Sequence, residues 1–263
     1  MKWNERQEQA LEKFKEWSKT RDRPFILQGY AGTGKSTITL ELLKILGDSS
    51  AVGLMAPTGK AARVLSDKTK RSASTIHKAL YNPARDELTR LKETLSEKHT
   101  DPDTSEEEIA ELEHNIDELL KMNNDLRFVL KHDAGSSLDV LLMDEASMVP
   151  ESIFNDILNL AKPTIMIGDP GQLPPVKARA GWEDLKPDVV LEEIMRTEGD
   201  SYGINLAAES VRLDRPMEEG PGFNLYPRKT LGWADYCEAD MVLAGTHAVR
   251  KQMNRGMRKH LGR

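Results

Sequence analysis

Apolar residues along the chain follow two rhythms. Within residues 4–19, Ala10, Leu11, Phe14 and Trp17 recur at three- and four-residue steps, the stripe of an amphipathic helix. Asn4, with Gln7 three positions on, supplies a capping-box variant at its start. Elsewhere the apolar residues come in short runs: Phe25-Ile26-Leu27, residues 51–56 (AVGLMA), 138–143 (LDVLLM) and 164–167 (TIMI). Such runs, bounded by turn residues, read as strands buried on both faces. Helical spacing returns between them. Residues 37–46 put Ile38, Leu42, Leu43 and Leu46 on one face, a second helix opens at 61–65, and a third covers 151–160. Alternating strand and helix predicts an α/β fold, a parallel sheet flanked by helices.

Residues 83–133 break that rhythm. Leu88, Leu91 and Leu95 form one three-four stripe, and Ile109, Leu112, Ile116, Leu119 and Leu126 form another. Residues 99–103 (HTDPD) interrupt them, and Ser105 with Glu108 makes a capping box for the second stripe. The pattern predicts a charged hairpin of two antiparallel helices, with a solvated spacer as the alternative. Phe128-Val129-Leu130 follows as a short strand. Further on, 199–212 reads as a helix, 214–229 as a Pro/Gly-rich surface loop and 240–246 (DMVLAGT) as a strand. A basic helix at 247–261 carries Arg250, Lys251, Arg255, Arg258 and Lys259.

The chemistry enters between the first strand and its helix. Gly29-Tyr30-Ala31-Gly32-Thr33-Gly34-Lys35-Ser36 fits G-x-x-x-x-G-K-[ST], with Thr37 continuing into the helix. Glycines allow backbone N–H groups to curl around phosphate oxygens, and the helix N-terminus adds partial positive charge. Lys35 is expected to reach the β- and γ-phosphates of ATP and Ser36 to hold Mg²⁺. The strand at 138–143 ends in Asp144-Glu145, where Asp144 is expected in the Mg²⁺ shell and Glu145 as the group that orients and deprotonates water. Gln172, past the strand end at 167, is a side-chain amide suited to sensing a γ-phosphate. Ligands gather at the carboxyl ends of parallel strands, so these groups are expected together.

Composition narrows the setting. Across 263 residues, 38% are hydrophobic and 30% charged, with a net charge of −6. A chain of that charge is no general polycation, so nucleic-acid binding requires a local site. No apolar run approaches the ~20 residues of a membrane span. The first residues lack the apolar core of a signal peptide. Cys237 is the single cysteine, which excludes an internal disulfide and suits a reducing cytoplasm; the resemblance given below implies a bacterial or phage-infected cell.

Taken in order, these motifs resemble those of superfamily 1 helicases of the 5′-to-3′ branch, the RecD and Dda group. Residues 4–10 look like the Q motif, in which Gln7 reads the adenine edge. Residues 56–62 (APTGKAA) resemble motif Ia and 74–77 (STIH) motif Ib, implying single-stranded DNA contacts from Pro57, Thr58, Lys60, Ser74, Thr75 and His77. Each also has a local reading: Pro57-Thr58 as a turn, Thr75 as a cap, His77 as a packed histidine. Asp144-Glu145-Ala146-Ser147 is similar to motif II and residues 168–175 (GDPGQLPP) to motif III. Residues 191–197 resemble a segment whose arginine, here Arg196, touches the γ-phosphate.

The resemblance implies a RecA-like domain from 1–82 and 134–230, an insertion at 83–133 where the family has a β-hairpin pin, and the start of a second domain at 231–263. It implies an ATP-dependent DNA helicase in replication, repair or recombination, with Mg²⁺ as cofactor. The family's later motifs do not follow, so this chain is expected to be part of a helicase, unable to unwind alone. A P-loop switch acting on a protein partner through 83–133, or a non-enzymatic single-strand-binding module, are the alternatives.

Overall fold

The computed structural model describes residues 3–100, 104–121, 128–131, 133–195, 202–217, 219, 223–227 and 230–262. The chain forms two compact units, Met1–Met195 and Arg196–Arg263. Among the described residues no helix is long and apolar enough to cross a membrane.

In the first unit, helix α1 (Glu5–Thr20) begins where its cap predicts. Gln7 N–H donates to Asn4 Oδ1 at 2.8 Å, and Gln7 Oε1 accepts from Asn4 N–H at 3.3 Å. Strand β1 (Phe25–Gly29) leads to α2 (Lys35–Leu46), and β2 (Val52–Ala56) to α3 (Gly59–Thr69). Then come β3 (Ala73–Thr75), α4 (Ile76–Leu80) and β4 (Tyr81–Pro83). After the insertion the chain runs through β6 (Val140–Met143), α7 (Glu151–Asn159), β7 (Thr164–Gly168) and β8 (Val189–Leu191).

Six of these strands make one sheet, ordered β3-β2-β6-β7-β1-β8, with every pairing parallel. Alternation of side chains along each strand divides the core in two. Phe25, Leu27, Leu54, Val140, Leu142, Ile165 and Ile167 face one layer with α1, α2 and Leu65 of α3. Ile26, Met55, Leu141, Met143 and Met166 face the other, with Ile76 and Leu80 of α4 and Phe154 and Ile157 of α7. Both faces are covered, which is why these strands read as continuous apolar runs.

The insertion holds the expected helices, α5 (Ala84–Thr100) and α6 (Glu106–Lys121), packed on each other. Leu91 and Ile116 are buried between them, and Lys98 pairs with Glu108 at 2.9 Å near the turn. Ser105 Oγ accepts from Glu108 N–H at 3.3 Å, but the Glu108 carboxylate serves Lys98, so the Ser105 cap is seen from one side. Leu126 lies outside the described residues, as does the side chain of Leu119. At the base of the hairpin, β5 (Phe128–Leu130) pairs antiparallel with β4 in a separate two-stranded ribbon.

The second unit contains α8 (Tyr202–Arg212), α9 (Trp233–Glu238) and α10 (His247–His260). The strand expected at 240–246 does not form. Among the described residues no strand lies beside it to complete its hydrogen bonds, and Met241 and Leu243 are exposed.

The central strand β6 sets the testable expectation for the fold. Leu142→Ala removes a fully buried side chain and should lower stability by about 2–5 kcal/mol. The measurement is the urea midpoint of the Met1–Met195 unit, followed by tryptophan fluorescence with an unchanged slope.

Candidate functional site

Parallel pairing brings the C-terminal ends of β1, β6 and β7 to one edge of the sheet, with β7 between the other two. At the end of β1 the loop turns at Gly32 and Gly34, whose φ values of 81° and 89° favour glycine. A Cβ on Gly34 would also lie 2.6 Å from Gln7 Nε2. Helix α2 starts immediately after, with Thr37 N–H and Ile38 N–H bonded to Gly34 O at 2.9 and 3.1 Å. The N–H groups of Lys35 and Ser36, which precede that ladder, can serve an anion.

Lys35 Nζ donates to Gly29 O at 2.5 Å and Tyr30 O at 3.0 Å, and pairs with Asp169 Oδ2 at 3.4 Å. Asp169 is 4% exposed and also accepts from Gly171 N–H at 2.9 Å. Thr33 is buried, its hydroxyl donating to Tyr30 O at 2.8 Å. Gln7, 3% exposed on the inner face of α1, donates its amide to Thr33 O at 3.2 Å. The far side of the loop is fixed by β8: Tyr30 N–H donates to Leu191 O at 3.2 Å, and Met195 N–H to Gly32 O at 2.9 Å.

At the end of β6, Asp144 is largely enclosed. Burial pushes its carboxyl above the usual range, as does the neighbouring Glu145 charge. The Glu145 N–H, Lys68 and Lys35 pull it back. Glu145 sits at φ 56°, a left-handed conformation uncommon for a side-chain-bearing residue and a form of strain that collects at functional sites. Gln172 Nε2 donates to Glu145 Oε2 at 3.0 Å, and Ser147 Oγ donates to Gln172 Oε1 at 3.4 Å. Ser36 Oγ accepts from Lys68 Nζ at 2.7 Å.

The donor set fits a magnesium ion. Mg²⁺ takes one or two protein oxygens and completes its shell with phosphate and water. Ser36 and Asp144 offer a hydroxyl and a carboxylate, and the Lys68 ammonium already stands at the hydroxyl.

A second group lies toward the other edge of the sheet. Register pairs Ala56 with Thr75, so the segments after β2 and β3 emerge side by side. Pro57 follows β2, and Lys60 is exposed on α3. Thr58 Oγ1 and Thr75 Oγ1 cap α3 and α4, accepting from Ala61 and Lys78 N–H at 3.2 Å each, while Ser74 Oγ donates to Thr75 O at 3.3 Å. The reading of Thr75 as a cap therefore holds, Thr58 proves to be a cap as well, and each hydroxyl keeps its proton for another acceptor. His77 packs between two rings: Tyr81 at 5.4 Å and Phe128, edge-on, at 5.3 Å. Tyr81 anchors this stack through its hydroxyl to Asp156 at 2.6 Å, and Phe128 is 44% exposed.

The structure thus gathers Gly29, Gly32, Thr33, Gly34, Lys35 and Ser36 with Gln7, Asp144, Glu145 and Gln172. Arg196 lies outside the described residues. Sequence reasoning missed Asp169 and Lys68. The Gly-Asp pair closing β7 was a signal for Asp169, whereas no local pattern singles out Lys68. A depression of about 510 Å³ lined by Lys13, Arg23, Pro24 and Asp188 sits at the opposite end of β1 and shares no residue with this corner.

The sheet order, phosphate loop and acidic strand end define a RecA-like P-loop fold. A family model described as an AAA domain matches residues 2–219. The chain is 32% identical over 163 residues to the ATP-dependent RecD2 DNA helicase of Deinococcus radiodurans, covering 59% of this chain and 17% of that protein. It is 28% identical over 156 residues to the ATP-dependent DNA helicase dda of Enterobacteria phage T4, covering 57% and 28%. A solved Pif1 helicase from Bacteroides in complex with ADP-AlF3 and single-stranded DNA overlays at TM-score 0.49 and 17% identity, over 100% of this chain and 57% of that one. The chain belongs to the AAA domain family and is similar over its matched part to the RecD and Dda helicases. It matches well under a third of the length of these two curated relatives.

Two substitutions test the corner. Gly34→Ala, strained by its positive φ and by contact with Gln7, should lower the melting temperature and abolish nucleotide binding, read by calorimetry. Asp144→Asn should remove the Mg²⁺ dependence of nucleotide binding without lowering the melting temperature of the metal-free protein. The sign follows from the raised carboxyl: the folded state disfavours the charge that the substitution removes.

Proposed function

We propose that this chain is the motor domain of a 5′-to-3′ DNA helicase, binding and hydrolysing ATP with Mg²⁺ while contacting single-stranded DNA. Replication, repair or recombination is its setting, and the cytoplasm its location. The observation that carries the reading is the Gln172–Glu145 hydrogen bond at 3.0 Å beside the Lys35–Asp169 pair. It links groups from the ends of β1, β6 and β7 in the arrangement that in-line water attack on a γ-phosphate requires.

In this mechanism Lys35 moves from its loop carbonyls to the β- and γ-phosphates. The amides of Gly32 to Thr37 cradle the remaining oxygens, and Gln7 faces the adenine. Glu145 accepts the proton of the attacking water, with Gln172 orienting the pair and reporting the state of the γ-phosphate. Ser36 and Asp144 hold the Mg²⁺, which when bound offsets charge on the phosphate oxygens. Arg196, one residue beyond the Met195 anchor, supplies a further cation to the γ-phosphate.

For DNA, Lys60 meets backbone phosphate, and Pro57, Thr58, Ser74 and Thr75 line its path. His77 and Phe128 offer faces for base stacking, which tolerates any sequence. The Phe128–His77 contact supports this role, because it links the ribbon under α5 and α6 to the segment after β3.

ATP turnover should rise with single-stranded oligo-dT. Glu145→Gln should cut it by at least about 100-fold, and Lys35→Ala should abolish nucleotide binding. DNA-independent turnover would favour a switch ATPase instead. Phe128→Ala should weaken oligo-dT binding by about 1–3 kcal/mol in fluorescence anisotropy while leaving nucleotide affinity unchanged.

A further inference from the structure

We propose that Lys68 is the resident cation of the nucleotide corner, holding the place beside the Ser36 hydroxyl until a divalent ion displaces it. The inference rests on the nucleotide-site reading above and adds a residue that the motifs do not include. Lys68 lies in the last turn of α3, in the same helix layer as α2, and its Nζ crosses to Ser36 Oγ at 2.7 Å. The ammonium therefore occupies the hydroxyl assigned to Mg²⁺.

Helix-end structure does not account for this contact. A lysine in a last turn ordinarily extends into water or turns back on its own helix carbonyls. The end of α3 is closed without it: Lys70 N–H donates to Ser66 O at 2.9 Å, Thr69 Oγ1 to Leu65 O at 2.8 Å and Ser66 Oγ to Arg71 O at 2.8 Å. Nor is the place open to Lys35, whose ammonium is engaged by Gly29 O, Tyr30 O and Asp169. The two lysines divide the corner, Lys35 under the loop and Lys68 on the side of the hydroxyl and the buried carboxylate.

An ammonium and a divalent cation repel at this separation, so metal entry requires Lys68 to swing away on its flexible stem. The metal-free corner then keeps its hydroxyl ligand occupied, and the Mg²⁺ concentration needed for nucleotide binding is raised.

The test is a titration of the full chain with a fluorescent ADP analogue across a series of free Mg²⁺ concentrations, for wild type, Lys68→Gln and Lys68→Arg. Lys68 is exposed while Ala62 and Leu65 carry the buried face of α3, so the substitutions should leave the fold intact, as checked by melting temperature. Lys68→Gln should lower the Mg²⁺ concentration for half-maximal binding about fivefold, the scale of an exposed ion pair. Lys68→Arg should match the wild type. An unchanged or higher requirement in Lys68→Gln overturns the role of Lys68 alone. A wild-type chain that binds no nucleotide at any Mg²⁺ concentration overturns the nucleotide-site reading and this inference with it.

Discussion

Lys35 is held by oxygens from two neighbouring strand ends, and that tether depends on sheet register. Gln28 pairs with Gly168, which brings the Gly29 and Tyr30 carbonyls beside Asp169. A slip of one residue between β1 and β7 would exchange the core faces of the strand that moved and part the lysine from its carboxylate. Burial of Leu27 and Ile167 on one face and Ile26 and Met166 on the other forbids that slip. Core packing thus secures the geometry of a polar corner that contributes little to folding itself.

Much of this was legible in the sequence. Buried parallel strands write themselves as apolar runs, and the glycine pattern of the phosphate loop has few other uses, so β1, β2, β6, β7 and the loop could be read in advance. Asp144, Glu145 and Gln172 were found because they follow strand ends, and the sheet then delivered them to one edge. Strand β3 escaped notice: three residues with polar Ser74 and Thr75 carry no apolar run, and only pairing with β2 makes them a strand. The opposite error fell at 240–246, where an apolar composition suggested a strand that no neighbour completes. Lys68 was illegible for a third reason, since a contact between two helices leaves no local pattern.

The insertion shows composition and tertiary structure sharing one segment. Its two helices follow their leucine and isoleucine stripes, which require only each other. The ribbon of β4 and β5 beneath them is a product of closure, as the ends of a long excursion return to adjacent positions. Phe128 gains meaning there, because its ring meets His77 from a distant part of the chain.

Gln7 belongs to two structures at once. Its backbone and side chain complete the cap of α1, and the same amide braces the loop at Thr33 and crowds Gly34. Asn4, which closes that cap, is also bonded to Glu193 at 2.8 Å and to the Met195 sulfur at 3.3 Å. The start of the first helix and the mouth of the nucleotide corner are therefore not free to diverge separately. A change at Asn4 reaches the loop through Gln7, so drift at this helix start should be matched by compensating change near position 195. In a lineage of such chains, the first turn would record the history of the nucleotide site as faithfully as the loop itself.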